Sequence, residues 1–400
     1  MNRKISIGVT ISIAAVVCAL TFIITWFVSL QSFNEKVQAV KEKAEKYERL
    51  ENLDSFVRAN YYETELDEEG VMNGMLKGYV AGLGDPYSKY MTAEEYEAYN
   101  LKESGQSVGI GVTVERNEDG LPRIIEVSEG SPAEEAGIQT GDVIVAVDGE
   151  LVKDLGYDTA IDNVRGESGT RVEVTVERGS VEVSFEIRRR AFNLKTVTYE
   201  MLDDRIGYIR VKNFRENTVD QFDEALDFVT ASGAEGIIFD MRGNGGGLLE
   251  SLEKMLDPLL PEGVIATASY QDGTSETIVY SDASEMDLPM IVLVDDGTAS
   301  AAELFSAALR DFGKAELVGT TTYGKGVMQS TSRLDDGGAI TLTVATYQTV
   351  RSDCYQGVGL TPDIEVEADE ETIISDLDPD TDPQLAAALD RMEEETNGND

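Results

Sequence analysis

Four hundred residues are too many for one ordinary domain and imply two or three, each with chain enough to bury a core. Hydrophobic residues make up 42% and prolines number only 9, which excludes wholesale disorder, while 76 acidic against 33 basic residues leave a net charge of −43. Such a field repels phosphate backbones and excludes nucleic-acid binding. The chain has no histidine, so it can build neither a Ser-His-Asp triad nor an imidazole metal site. Two cysteines, Cys18 and Cys354, cannot form a disulfide framework or a thiolate metal cluster. Any catalysis must draw on Ser, Thr, Lys, Tyr, Asp or Glu.

The N-terminus reads as a membrane segment. Ile5 to Leu30 are 26 residues without a charge, about 39 Å as a helix against a hydrocarbon core of about 30 Å. Arg3 and Lys4 precede the run, and the positive-inside rule keeps such residues cytoplasmic, so the chain after Gln31 is expected outside the cytoplasm. The alternative is a cleaved signal peptide, whose apolar run would span about 7 to 15 residues and end in a small-x-small site. This run is longer and ends in Trp26-Phe27-Val28-Ser29-Leu30, which favours a retained anchor over residues 1–32. Cys18 lies inside it, so Cys354 reads as a free thiol.

Residues 33–102 read as helical. Val37, Val40, Ala44, Tyr47, Leu50, Leu53 and Val57 recur at a spacing near three to four, as in a surface or partner-binding helix. A second helical stretch, Glu68 to Leu83, ends in a Gly-Leu-Gly-Asp-Pro turn, and Thr92 with Glu95 marks the start of a third.

From residue 103 to 190 short β-rich runs alternate with turn signals: Val108–Val114, Ile124–Val127, Val143–Val147, Arg171–Glu177 and Val181–Ile187. Two short helices interrupt them, one opened by Ser131-Pro132 and closed by Gly137, the other at Thr159–Val164. Gly109-Ile110-Gly111-Val112, the stretch Ser131 to Glu150, Val164-Arg165-Gly166 and Gly169-Thr170 together resemble a PDZ domain of the circularly permuted type found in bacterial envelope proteases. The resemblance implies that backbone N–H groups of the Gly109–Val112 loop receive a free C-terminal carboxylate, that the peptide adds as a strand, and that Ile110 and Val112 line an apolar pocket for the last side chain.

Between residues 191 and 368 strands alternate with helices, the pattern of a layered α/β core, and apolar strands such as Ile237-Ile238-Phe239 and Ile291-Val292-Leu293-Val294 suit a sheet covered on both faces. In such cores the loops at the carboxyl ends of strands bind ligands. One, Asp240 to Leu248, contains four glycines whose free N–H groups suit an oxyanion or phosphate, though a flexible turn would look the same. The other places Ser300 at a helix start, where a capping box with Glu303 is the plain structural reading. Without histidine, a serine needs another base, and a lysine made neutral by burial can serve. Lys325, in the uncharged run Thr322 to Gln329, is the candidate.

Six blocks in order, GLGDPYSKYM (82–91), the PDZ segments, FDMRGNGGG (239–247), GTASAAE (297–303), TTYGKGVMQ (321–329) and GVGLTPDIEV (357–366), resemble the carboxyl-terminal processing proteases, tail-specific serine peptidases carrying a PDZ domain. The resemblance implies a multidomain α+β and α/β chain with a transmembrane helix, a helical region, a PDZ domain and a ClpP/crotonase-like protease core. It implies Ser300 as nucleophile, Lys325 as general base, Gln329 as its orienter and the N–H groups of Gly246 and Ala301 as oxyanion hole. Arg165 is implied as a contact between ligand-bound PDZ domain and core. No metal or cofactor is needed. Substrates would be proteins or peptides with exposed apolar C-termini. Relatives often form homodimers through terminal helices, which marks residues 33–66 and the C-terminal helix as candidate contacts.

Asp311 lies eleven residues after Ser300, too far along one helix to touch it, and reads as structural. From Asp369 to Asp400 twelve acids face the single Arg391, the composition of a solvated tail, with one short helix at Gln384–Met392 presenting Leu385 and Leu389. Two other functions compete: a noncatalytic scaffold that only binds C-terminal tails, which requires Lys325 to be solvated and charged, and acyl-CoA chemistry on a similar core, which the anchor and PDZ segment disfavour.

Overall fold

The computed structural model describes residues 7–397 apart from 64, 203–204, 283–284, 370–371, 373 and 375–376. Arg3, Lys4 and Ile5, on which the membrane orientation and the start of the apolar run rest, lie outside the described residues. The chain divides into two units, residues 1–75 and 76–400.

In the first unit one helix runs from Ile7 to Asn60. The expected anchor and the expected surface helix are thus continuous, because no proline or glycine stands between Gln31 and Asn60 to break the ladder. Its span Val16–Phe33 is apolar and wholly exposed. Near its end Arg58 grips both oxygens of Glu68 at 2.6 and 2.8 Å and also reaches Asp54.

In the second unit the helix Ala93–Glu103 opens on Thr92, whose hydroxyl accepts from the Glu95 N–H while the Glu95 carboxylate accepts from the Thr92 N–H, a complete capping box. A short ribbon follows, Gln106–Gly109 paired antiparallel with Arg190–Asn193. Between its two arms lies an antiparallel sheet in the order Val112–Arg116, Pro122–Val127, Val143–Val147, Arg171–Arg178, Val181–Arg188, closed over a core that includes Ile124, Ile144, Val174 and Ile187. The expected single strand Val108–Val114 is broken at Ile110 and Gly111, after Gly109 with φ 150° and with Gly111 at φ 85°. A Cβ at Gly111 would sit 2.2 Å from that of Ser131, so only glycine lets the loop pass there.

The last region carries two sheets. The first orders Val197–Leu202, Ile206–Val211, Gly236–Asp240, Met290–Val294, Ala315–Gly319 and Ile364–Glu365, all parallel after the first pair. Both faces are covered, as the unbroken apolar strands require. Ile237, Phe239 and Val292 face the helices Thr218–Ala231, Leu249–Leu256 and Ala301–Asp311, where Phe214, Phe222, Phe239 and Phe305 pack together. Ile238, Ile291 and Leu293 face the other way, onto Leu385, Ala388 and Met392. Those three belong to the helix Pro383–Asn397, longer than the sequence predicts. The acidic tail is therefore solvated only in part: its helix buries Leu385, Ala388 and Met392, and Asp382 just before it is buried too, because Arg242 neutralises it inside the core. The second sheet is antiparallel, with the long strand Ala339–Thr349 flanked by Lys89–Met91, Gly263–Tyr270 and Val327–Arg333.

Candidate active site

Strands Gly236–Asp240 and Met290–Val294 are parallel neighbours, so the loops that leave their carboxyl ends lie side by side. The first loop is anchored from beneath by a buried ionic cluster. Asp240 accepts from Arg242 through Nε and Nη2, from the Arg242 N–H and from the Tyr208 hydroxyl at 2.6 Å. Arg242 Nη1 reaches Asp382 at 2.8 Å and Gln384 at 3.1 Å. Burial opposes the Arg242 charge, but Asp240 and Asp382 outweigh it and hold the guanidinium ionised; burial and then Asp240 push the Tyr208 hydroxyl up, so it stays a donor. A buried charge is tolerated when it is paired and hydrogen-bonded in this way.

Above the cluster the glycine loop is fixed on every side and is no flexible turn. Asn244 donates to the Val211 carbonyl at 2.8 Å, its own carbonyl accepts from Ala299, and its Oδ1 accepts from the Gly246 N–H at 2.9 Å. The Gly246 carbonyl accepts from Phe214, and the Phe214 carbonyl from Leu248. Gly246 has φ 92°, and a Cβ there would lie 2.8 Å from the Ala299 oxygen and from the Ala301 nitrogen. The backbone thus touches the start of the Ser300 helix because it has no side chain. Of the two expected oxyanion donors, Gly246 N–H is engaged by Asn244, whereas Ala301 N–H, in the first helical turn, has no protein acceptor among the described residues.

Ser300 adopts φ 57° and ψ −117°, far from the extended conformation of the capping Thr92 at −63° and 169°. Such a backbone costs about 1–3 kcal/mol and persists only where its surroundings impose it. Glu303 imposes it. This fully buried carboxylate accepts from the Ser300 N–H at 2.8 Å and, through the same oxygen, from the Lys325 N–H at 2.8 Å. Its second oxygen accepts from the Thr322 hydroxyl at 2.6 Å and the Gly324 N–H at 2.7 Å. One side chain therefore fastens the serine turn to the lysine loop.

The half-buried Lys325 ammonium lies 4.6 Å from the centre of the Tyr87 ring. Burial lowers its pKa, and the charges of Asp85 and Glu303 pull the other way. Tyr87 and Asp85 come from the turn before strand Lys89–Met91, which pairs with Ala339–Thr349 and so delivers the turn to the lysine. The Tyr347 hydroxyl donates to the Lys325 carbonyl at 2.7 Å. Burial pushes the Tyr347 hydroxyl above the usual phenol range. Ser300, Ala301, Gly246, Lys325 and Gln329 line one cavity of about 700 Å³. Gln329 donates to Thr343 at 3.1 Å and to the Val327 carbonyl, and no hydrogen bond joins it to Lys325 among the described residues. Asp311, at the far end of the helix, binds Thr349 and Ser352.

In the β-rich region Ile110 is buried in the core and Val112 packs beside it. Ala133 and Ser128 N–H groups hold the Ile110 and Gly111 carbonyls. Strand Val112–Arg116 forms the sheet edge, paired only with Pro122–Val127 among the described residues. Its Arg116 stacks 4.2 Å from the Tyr157 ring at the start of helix Tyr157–Val164. Arg165 is exposed and 3.5 Å from Asp162.

Sequence reading missed the reach of Glu303 beyond its own helix, and assigned no role to Asp85, Tyr87 or Tyr347. The signal available for Asp85 and Tyr87 was their place in the block 82–91.

Three family models match: Peptidase family S41 over residues 205–366, PDZ domain over 123–178, and Activating protease CtpB N-terminal domain over 15–95. The chain is 34% identical over 383 residues to the carboxy-terminal processing protease CtpA of Bacillus subtilis (strain 168), covering 95% of this chain and 81% of the relative. It is 32% identical over 364 residues to a CtpA-like serine protease of Staphylococcus aureus (strain COL), covering 90% and 71%. A Bacteroides fragilis structure assigned to the S41 proteases shares the fold at TM-score 0.56 and 21% identity, over 85% of this chain and 96% of that one. The chain belongs to peptidase family S41 and is a serine-type carboxy-terminal processing protease with a PDZ domain.

Proposed function

We propose that the chain is a single-pass, membrane-anchored endopeptidase whose catalytic region lies outside the cytoplasm and whose chemistry is a Ser300–Lys325 dyad. The observation that carries the dyad is the shared Glu303 oxygen, which holds the two backbones together while both side chains line one cavity. Lys325 Nζ takes the Ser300 hydroxyl proton as Oγ attacks the peptide carbonyl carbon. The oxyanion is received by the Ala301 N–H, joined by the Gly246 N–H when it turns from Asn244. On collapse the C–N bond breaks, and the ammonium of Lys325 returns its proton to the leaving amine. Water, deprotonated by Lys325, then attacks the acyl carbonyl, and as the C–Oγ bond breaks the Ser300 oxygen takes that proton back from Lys325. Gln329 lines the same cavity and would orient the lysine after a change of its present hydrogen bonds.

The Gly109–Val112 loop and the open edge of strand Val112–Arg116 accept an apolar C-terminus as an added strand. Arg165, exposed at the end of helix Tyr157–Val164, is available to a gating contact. The exposed span Val16–Phe33 supports the anchor. Exposed Leu50, Leu53 and Phe56 on the same helix support homodimerisation through it.

The test is full-length protein in detergent, mixed with an unfolded protein ending in apolar residues. Wild type is expected to cleave it, and Ser300→Ala and Lys325→Ala to bind but not cleave. Cleavage by Ser300→Ala at the wild-type rate would overturn the dyad.

A further inference from the structure

The charged residues around the cleft reverse the composition of the chain. Acids outnumber bases by more than two to one overall, yet of the six charged side chains lining the cavity, Lys89, Lys102, Lys212, Arg215 and Lys325 are basic and only Glu103 is acidic. Arg215 and Glu103 neutralise each other at 2.5 Å, both largely shielded from solvent. The lysines stand differently. From residue 76 onward there are nine, of which four have a carboxylate within 4.0 Å. Of the remaining five, four are the cavity lysines, unpaired among the described residues, and the fifth is Lys153.

Lys325 is set apart as the base; leaving Lys89, Lys102 and Lys212 unpaired in a chain so rich in carboxylates points to a ligand that supplies the missing charge. They arrive from three separate elements: Lys89 from the edge strand of the second sheet, Lys102 from helix Ala93–Glu103, and Lys212 from the end of strand Ile206–Val211. The Lys89 ammonium lies 4.8 Å from the centre of the ring of Tyr99, which lines the same cavity. The acidic surface elsewhere repels an anionic chain, so the cavity is where such a chain is held best.

We infer that Lys89, Lys102 and Lys212 form a subsite for acidic residues, so that the protease prefers peptide segments carrying Asp or Glu within a few positions of the scissile bond. This rests on the proteolytic reading above and adds to it the class of sequence that is cut.

The experiment uses the full-length protein in detergent and three peptides with the same apolar C-terminus. One carries three glutamates flanking the scissile bond, one carries glutamines there, and one carries the three glutamates at its far N-terminal end. At low ionic strength wild type is expected to favour the first over the second by about tenfold in kcat/KM, and the preference to shrink at 0.5 M salt, a condition of the assay. The third peptide, of equal charge, is expected to gain nothing. In Lys89→Gln/Lys102→Gln/Lys212→Gln the ratio of first to second is expected to fall to about one; Lys102→Gln and Lys212→Gln singly are expected to lower it part way, should the triple variant not fold. A wild-type ratio of one or less, an equal gain for the third peptide, or an undiminished ratio in the variants overturns the subsite. Failure of wild type to cleave even the glutamine peptide overturns the proteolytic reading instead.

Discussion

The backbone N–H groups of Ser300 and Lys325 donate to one oxygen atom, Glu303 Oε2, each at 2.8 Å. Their nitrogens are therefore no more than twice that distance apart, although 25 positions separate them in the chain. This is how a serine at a helix start and a lysine in a glycine-flanked loop come to share a wall without touching through any strand pair.

Glu303 receives four donors and has no place for a donor of its own. In Glu303→Gln an amide NH₂ must face two of them, which leaves buried donors unsatisfied at about 1–3 kcal/mol each. The expected result is a lower urea midpoint together with a fall in kcat larger than any change in KM. Unchanged kcat with lowered stability would make Glu303 a structural residue only.

Burial sets the Lys325 pKa below its ordinary value. In the proposed dyad the neutral amine is the base, so kcat/KM is expected to rise with pH through this lowered pKa, with its limb below 10.5. Between the folded and unfolded pKa values the unfolded chain binds more protons, so this lysine's contribution improves as pH rises and is least favourable below the folded pKa. Lys325→Met is accordingly expected to abolish cleavage while leaving the thermal midpoint at pH 7 equal or higher. A midpoint lowered by several degrees would show that the charge stabilises the fold.

At Gly246 a methyl group meets the Ala301 nitrogen and Ala299 oxygen at 2.8 Å, with φ at 92°. Gly246→Ala must push the loop off the serine turn, and a loss of about a hundredfold or more in kcat is expected, as for a lost oxyanion donor. Gly245, where a Cβ meets nothing within 4 Å, should accept alanine with little effect on the same assay.

Asp382→Ala leaves Arg242 with Asp240 as its one carboxylate partner in a buried site. Breaking such a cluster costs about 3–5 kcal/mol. Hydrogen exchange is expected to show the helix Pro383–Asn397 opening first and the Asp240–Leu248 loop following it. Protection retained in that loop would separate the C-terminal helix from the site.

Part of this was readable from residues alone. Ile237 to Phe239 and Ile291 to Val294 announce buried parallel strands because both their faces are apolar, and the loops after them follow from that topology. The second sheet stayed hidden: Val327–Arg333 and much of Ala339–Thr349 are Thr- and Ser-rich and only half-buried, so no apolar run marks them. Glu303 was visible as a capping partner three residues from Ser300. Its grip on Thr322, Gly324 and Lys325 was not, since that contact is made by folding and leaves no spacing in the chain. Asp382 misled for a similar reason: an acid among acids reads as solvated until Arg242 is found beneath it.

The most direct measurement is the site and rate of covalent labelling by a fluorophosphonate, in which the attacking oxygen displaces fluoride. The account predicts one adduct, on Ser300 by peptide mass mapping, absent from Ser300→Ala and slowed about a hundredfold or more in Lys325→Ala. Labelling at another serine, or at an undiminished rate in Lys325→Ala, would contradict it.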